Sequence, residues 1–202
     1  MFDETEYDKI PYSVIESPQH VALAHRAAAE SAVLLKNDGI LPIRNATSSK
    51  GHSEYTIAVI GPNANSRAAL IGNYHGTSPR YITVLEGIQD RADEEGCRVY
   101  YSEGCHLFIN RVEDLALHGS CDRLAEALTI SELADLIILV VGLDETLEGE
   151  EGDTGNSFSS GDKTDLSYPE PQQKLTKTIL DHGKESGTPV VTVNMTGSSM
   201  DL

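Results

Sequence analysis

Six carboxylates crowd the segment Gly142–Asp153, GLDETLEGEEGD: Asp144, Glu145, Glu148, Glu150, Glu151 and Asp153. So many acids at short range cannot all ionise freely, because each negative charge raises the cost of the next. At least one is expected to have a raised pKa and to be able to serve as a general acid. Two other uses of such a run stay open on the residues alone, a solvated acidic loop and a cation site. A calcium loop of the EF-hand type does not fit: it needs alternating Asp or Asn ligands, a central Gly and a closing Glu between two helices, and this segment leaves a strand.

A second polar cluster lies earlier, in Gly61-Pro62-Asn63-Ala64-Asn65 and Gly72-Asn73-Tyr74-His75-Gly76. It lacks both the Gly-Lys-Ser/Thr ending and the Gly-x-Gly-x-x-Gly spacing of phosphate-cradling loops, which argues against a nucleotide. Its Asn, Tyr and His residues, with Arg80, suit hydroxyl-rich ligands such as sugars, or else they only shape a turn. Cys97, Cys105 and Cys121 are too few and too irregularly spaced for a disulfide scaffold or a zinc site and read as ordinary thiols. No cofactor and no metal is expected.

The elements that must position these residues follow a regular alternation. Ser17-Pro18 caps a helix expected to run through the alanine-rich stretch to Lys36 and to stop at Asn37-Asp38-Gly39. Thr56 to Ile60 is a short β-branched run closed by Gly61-Pro62, a strand followed by a turn. A helix is expected over Thr83 to Glu95, a strand over Arg98 to Tyr101, and a mostly helical stretch over Leu115 to Ala134. Leu136 to Gly142 is continuously apolar, the pattern of a strand buried on both faces. Pro169 to Glu185 reads as an amphipathic helix, and Pro189 to Val193 as the last strand. This order predicts an α/β fold: a three-layer sandwich with a mostly parallel sheet and helices on both faces. In such folds ligands meet the loops leaving the carboxyl ends of the strands, here Gly61 to Tyr81, Gly104 to Arg111, Gly142 to Tyr168, and Asn194 onward. The longest, Gly142 to Tyr168, holds the acidic run, and loops of that length in compact domains are usually functional or mobile.

Composition removes several classes of function. The 202 residues carry a net charge of −17. That disfavours nucleic acid and anionic membrane surfaces, which are bound mainly by clustered Lys and Arg. No apolar run approaches the roughly 20 residues of a membrane helix. The N-terminal MFDETEYDKIPYSVIESPQH is acidic where a signal peptide is basic, and it has no apolar core. Two sequons, at Asn45 and Asn194, are short enough to arise by chance.

Five linked motifs carry a more specific likeness. ALAHRAAAESAVLLKNDGILPI, TIAVIGPNAN, GNYHGTSPRYITVLEGI, YSEGC, and VVGLDETLEGE followed by GDKTDLSYPEPQQKL resemble, in order and over nearly the whole chain, the second domain of family 3 glycoside hydrolases. The likeness is strongest to the bacterial β-xylosidase and β-glucosidase branch. It implies an α/β sandwich that follows a β/α barrel, with residues 1–17 resembling the linker from the barrel and residues 18–202 the sandwich, ending before its relatives do. It implies a retaining, exo-acting β-glycosidase acting on β-linked xylo- or gluco-oligosaccharides, with an Asp nucleophile on the barrel and a Glu acid/base on a sandwich loop. The motif match puts Glu148 at the acid/base position, with Glu150 and Glu151 one small alignment shift away. Asp162-Lys163 stands where the family often has Asp-Arg, and a loop-anchoring role is expected for it; Lys keeps the charge but loses the bidentate fork.

Retaining hydrolysis needs two carboxyl groups about 5 Å apart, one attacking the anomeric carbon and one protonating the leaving oxygen. This chain supplies only the second and looks like one domain of a longer enzyme. The alternative is a non-catalytic carbohydrate-binding or regulatory α/β module that keeps the sandwich without the chemistry. A response-regulator or nucleotide-binding domain fits the periodicity but has no matching phosphate loop or phospho-acceptor cluster. A cytoplasmic location is the expectation from the acidic, cysteine-poor composition, with any leader preceding the barrel. The purified chain alone is expected to show no meaningful turnover of aryl β-xylosides or β-glucosides; clear release of the aryl alcohol in a chromogenic assay would overturn this.

Overall fold

The computed structural model describes residues 5–43, 47–72, 74–109, 122–147, 163 and 165–201. The chain divides into two units, Met1–Arg44 and Asn45–Leu202. In the first, two 3-10 turns, Glu6–Lys9 and Tyr12–Val14, precede α1, Pro18–Ser31. The Ser17 hydroxyl accepts from the His20 amide (3.4 Å) with Pro18 opening the helix, the cap expected from the sequence. The helix stops at Ser31, short of the expected Lys36. Ser31 Oγ donates to the Ala28 carbonyl (2.8 Å), Ala32 turns extended, and the branched, apolar Val33-Leu34-Leu35 follows outside the helix. Asn37-Asp38-Gly39 forms a separate turn, in which Asn37 Oδ1 accepts the Gly39 and Leu41 amides.

The second unit is built on four parallel strands in the order β2-β1-β3-β4. They are β1 (Thr56–Ile60), β2 (Arg98–Ser102), β3 (Leu136–Gly142) and β4 (Val190–Met195), joined by α2 (Val84–Glu95), α3 (Asp122–Leu133) and α4 (Glu170–Ser186). Every residue of β1 and β3 is buried, as their unbroken apolar runs require, whereas the outer strands β2 and β4 are only partly covered. The chain steps from β1 outward to β2, then crosses back over β1 to β3 and on to β4. Right-handed crossovers therefore set α2 on one face and α3 and α4 on the other, giving the three-layer α/β sandwich. Ala58, Ile60, Ile137, Leu139 and Val141 form the sheet side of one core, packed with Ala127, Leu175 and Ile179. Two of the helices match their local signals closely. Thr83 and Glu86 form a capping box at the start of α2. Gly96 and Gly187 close α2 and α4 in the left-handed conformation. The expected helix over Leu115 to Ala134 is seen as α3 from Asp122; its first residues lie outside the described ones.

One buried carboxylate fastens the amino-terminal edge of the sheet. Asp135, just before β3, accepts from the Thr56 amide (3.0 Å), the Ser49 amide (2.6 Å) and hydroxyl (2.9 Å), the Ser48 hydroxyl (3.1 Å) and the Lys50 amide (3.2 Å). Burial alone raises its pKa, but these donors together outweigh that and hold it below the usual carboxylate value. The stabilisation is complete above the unfolded carboxylate pKa of about 3.9 and is lost as pH falls through the lower folded value. Urea unfolding of the Asp135→Ala variant is expected to show a loss of about 2–3 kcal/mol at neutral pH. Its stability should also fall less steeply below pH 4 than that of the wild type; equal acid sensitivity would contradict the assignment.

Candidate functional site

In an open parallel sheet, the crevice lies where neighbouring strands send their chains in opposite directions. Here that point is the carboxyl end of β1 and β3, since β1 continues toward β2 and β3 toward β4. Each of these strands ends on a glycine forced by crowding. A Cβ on Gly61 would lie 1.9 Å from the Val140 carbonyl oxygen, and one on Gly142 would lie 2.0 Å from the Met195 carbonyl oxygen. Both contacts are far inside van der Waals range and both are to backbone, so no side chain can be accommodated. The glycines let the loop roots close up on one another. The Gly61 amide donates to Ser102 O (3.1 Å), and the Leu143 amide to Met195 O (3.0 Å).

Two buried carboxamides then tie the roots together. Gln172, in the first turn of α4, is fully buried; its Oε1 accepts from the Gly142 amide (2.9 Å). Its Nε2 donates to the Gly142 carbonyl (2.8 Å) and to the Leu107 carbonyl in the loop after β2 (2.7 Å). Asn63, 1% exposed, reaches from the loop after β1, and its Nδ2 donates to the Leu143 carbonyl (3.0 Å). Its Oδ1 is buried and has no partner among the described residues. A buried acceptor left unmade costs about 1–3 kcal/mol.

The acidic loop leaves this point through a short, pinned turn. Asp144 Oδ1 accepts from the Thr146 amide (2.9 Å) and hydroxyl (2.6 Å), and the Leu147 amide returns to Asp144 O (3.0 Å). Leu143 and Leu147 on either side are buried, so the described root of the loop ends on an apolar anchor directly before residue 148. Glu145 stands 3.9 Å from His75 Nε2, bringing together the loops after β1 and β3; this is an ion pair when the imidazole is protonated. Of the other polar residues of the β1 loop, Tyr74 and Arg80 are exposed. Asn63, by contrast, is buried and engaged with the Leu143 carbonyl rather than open to a hydroxyl-bearing ligand. Asn73 lies outside the described residues, as do Glu148, Glu150, Glu151, Asp153 and Asp162.

At the far end of the loop, Lys163 Nζ contacts Met200 Sδ (2.8 Å), and the Asp201 amide donates to Leu166 O (2.9 Å). The Tyr168 hydroxyl donates to Asn194 Oδ1 (2.6 Å); burial pushes that phenol up to about 12, so it keeps its proton. The returning chain is thereby joined to the segment after β4, and all four expected loop clusters meet on one edge of the sheet. Cys97 and Cys105 are free thiols, and burial raises Cys105 to about 12, which leaves it unreactive. Among the described residues no group of His, Cys, Asp or Glu is placed to hold a metal ion.

A parallel sheet covered by helices on both faces is the α/β sandwich that the motif likeness implied. Residues 32–202 match the model of the glycosyl hydrolase family 3 C-terminal domain, and the chain belongs to that family. A probable exo-1,4-β-xylosidase from Aspergillus flavus is 34% identical over 195 residues, 96% of this chain and 21% of that protein. An exo-1,4-β-xylosidase from Aspergillus oryzae shows the same identity and coverage. A solved GH3 exo-β-xylosidase, in complex with a xylobiose aziridine activity-based probe, is 31% identical with a TM-score of 0.74, covering 98% of this chain and 22% of that one. A GH3 β-glucosidase from Bifidobacterium adolescentis is 29% identical with a TM-score of 0.65, covering 96% of this chain and 24% of that one. The chain thus spans about a fifth of the length of the curated relatives it matches. Those relatives are fungal, so the expected bacterial branch is not supported.

Sequence reasoning missed the residues that hold the site together. For Gln172 a signal existed, a polar residue on the same helical face as the buried Leu175 and Ile179. Asn63 was singled out as a candidate ligand contact, but nothing local signalled its bond to the Leu143 carbonyl, because that partner lies 80 residues away. Gln172→Met keeps the volume and strands the Gly142 amide and carbonyl and the Leu107 carbonyl. It is expected to lower the unfolding free energy by about 2–3 kcal/mol in urea titration; a loss under about 0.5 kcal/mol, the scale of ordinary surface changes, would contradict this account.

Proposed function

We propose that this chain is the acid/base-bearing domain of a retaining, exo-acting β-glycosidase that releases terminal β-linked xylose or glucose from oligosaccharides. The observation that carries the reading is the placement of the acidic loop. It leaves the central strand at the sheet's switch point, where α/β folds bind ligands, on a root fixed by Gln172 and Asn63. Family membership supports the glycosidase class, and relatives named as exo-1,4-β-xylosidases support a xylosidic substrate.

On this reading Glu148 is the general acid/base, with Glu150 and Glu151 as its nearest alternates. The nucleophile comes from a separate barrel domain about 5 Å across the scissile bond. In the first step the protonated Glu148 carboxyl donates to the glycosidic oxygen as the nucleophile attacks the anomeric carbon. In the second, its carboxylate takes a proton from the water that releases the sugar. The neighbouring carboxylates favour the protonated form between turnovers, since an added negative charge nearby raises a carboxyl pKa. The polar loop carrying Tyr74, His75 and Arg80 faces the same edge and suits hydroxyl recognition.

The test is turnover of aryl β-xylosides and β-glucosides by the full-length protein, wild type beside Glu148→Ala, with azide as an external nucleophile. Glu148→Ala is expected to lose about 10²–10⁴-fold on poor leaving groups and far less on activated ones. Azide should rescue it with formation of the β-glycosyl azide. Wild-type behaviour of the variant would move the role to Glu150 or Glu151, and the same result for all three would remove catalysis from this loop.

A further inference from the structure

We infer that Asn63 is a positioning residue for the acid/base carboxyl, acting through the Leu143 carbonyl; the inference rests on the proposed glycosidase reading. Asn63 lies in the loop after β1, two residues past Gly61, and its side chain is 1% exposed. Its amide orientation follows from its partner. The Leu143 carbonyl can only accept, so the nitrogen must face it, at 3.0 Å. Leu143 is the first residue beyond β3, and the chain from it makes the Asp144 turn, buries Leu147 and arrives at residue 148. The hydrogen bond therefore acts on the pivot of the acidic loop.

Packing alone does not account for a carboxamide at this position. Turning the nitrogen to Leu143 satisfies that buried carbonyl, which an apolar side chain of similar volume would leave without this donor, while Oδ1 has no partner among the described residues. What the amide supplies and the apolar isostere cannot is a fixed direction for the Leu143 carbonyl. Gln172 does not duplicate this, since its bonds go to Gly142, the last residue of the strand, and to Leu107, and not to the acidic loop. Without Asn63 the strand end keeps Gln172 and the Met195 carbonyl, while the Leu143 carbonyl loses the side-chain donor that sets its direction. Displacement of a reacting group by about 1 Å can cost on the order of 100-fold in rate.

A misplaced acid and a weakened fold are separable by leaving-group dependence. Aryl xylosides with poor leaving groups need the proton, while activated ones hardly do, and a reduced folded fraction lowers both equally. The full-length protein would be assayed as wild type, Asn63→Ala, Asn63→Leu and Glu148→Ala, each on phenyl and on 2,4-dinitrophenyl β-xyloside. Both Asn63 variants are expected to lose about 10- to 100-fold more kcat/KM on the phenyl substrate than on the dinitrophenyl one. Asn63→Leu fills the space without donating, so wild-type behaviour of Asn63→Leu would assign Asn63 to packing and overturn the inference. Equal loss on both substrates, or failure of both variants to give folded enzyme, would overturn it as well. Glu148→Ala keeps the two claims apart. A leaving-group effect there without one at Asn63 sinks the positioning role alone. An effect at Asn63 without one at Glu148 keeps that role and moves the acid elsewhere on the loop, and no effect at either sinks both.

Discussion

The end of a central parallel strand is the hardest place in an α/β domain to leave solvent-free, because the chain must turn away from the ladder with its peptide groups still buried. In this domain a single side chain meets that demand. Gln172 completes both the N–H and the carbonyl of Gly142, and its second amide hydrogen serves the Leu107 carbonyl. The geometry works only because position 142 has no Cβ, which would collide with the Met195 backbone on the β4 side. Glycine at the strand end and glutamine in the first turn of α4 are thus one device, and the acidic loop can turn where it does because of it.

The two edges of the sheet are fastened by different chemistry. At the amino end Asp135 gathers amides and hydroxyls from Thr56 and from the Ser48–Lys50 turn, and its charge strengthens each of those bonds. At the carboxyl end the fasteners are Gln172, Asn63 and the Tyr168–Asn194 pair, all neutral, with the Tyr168 phenol held protonated by burial. The distinction has an electrostatic consequence. A buried carboxylate beside the acidic loop would raise every neighbouring carboxyl further and would tie loop geometry to pH. Carboxamides hold the same backbone without contributing to the field.

Much of this was legible in the amino-acid sequence where a signal is local. The unbroken apolar runs of Thr56–Ile60 and Leu136–Gly142 announced strands covered on both faces, and both are central. The helix expected over Thr83 to Glu95 is α2, Val84–Glu95. The end of α1 was misread because the helix-favouring alanine-rich stretch gives no local stop at Ser31, where Ala32 turns extended. The acidic loop was found from charge alone, and its place at the switch point follows from the strand order. Asp135 and Gln172 escaped notice, and Asn63 was noticed but given the wrong role, for a common reason. Each is an ordinary polar residue whose meaning lies in a backbone group 30 to 80 residues distant, a pairing that exists only once the sheet has formed.

A domain that contributes one of two catalytic carboxyls faces a demand that a self-contained active site does not. On the proposed reading the other carboxyl is carried on a different domain, so errors in loop placement and in domain placement add. On the proposed reading, only the first of these is under the control of this chain. That favours stiffness concentrated at the loop's root, where a small rotation is multiplied along the chain, and it matches the distribution of buried bonds. Gly142, Leu143 and Leu147 are fixed by side chains drawn from α4, the β1 loop and the core. The hydrogen bonds that fix this root run to Gly142 and Leu143 from Gln172, from Asn63 and from the Met195 carbonyl, so among the described residues it is held from outside the loop itself. On the proposed reading an acid carried on a long loop is therefore compatible with precise proton delivery, provided that the first few peptides after the strand are held as they are here.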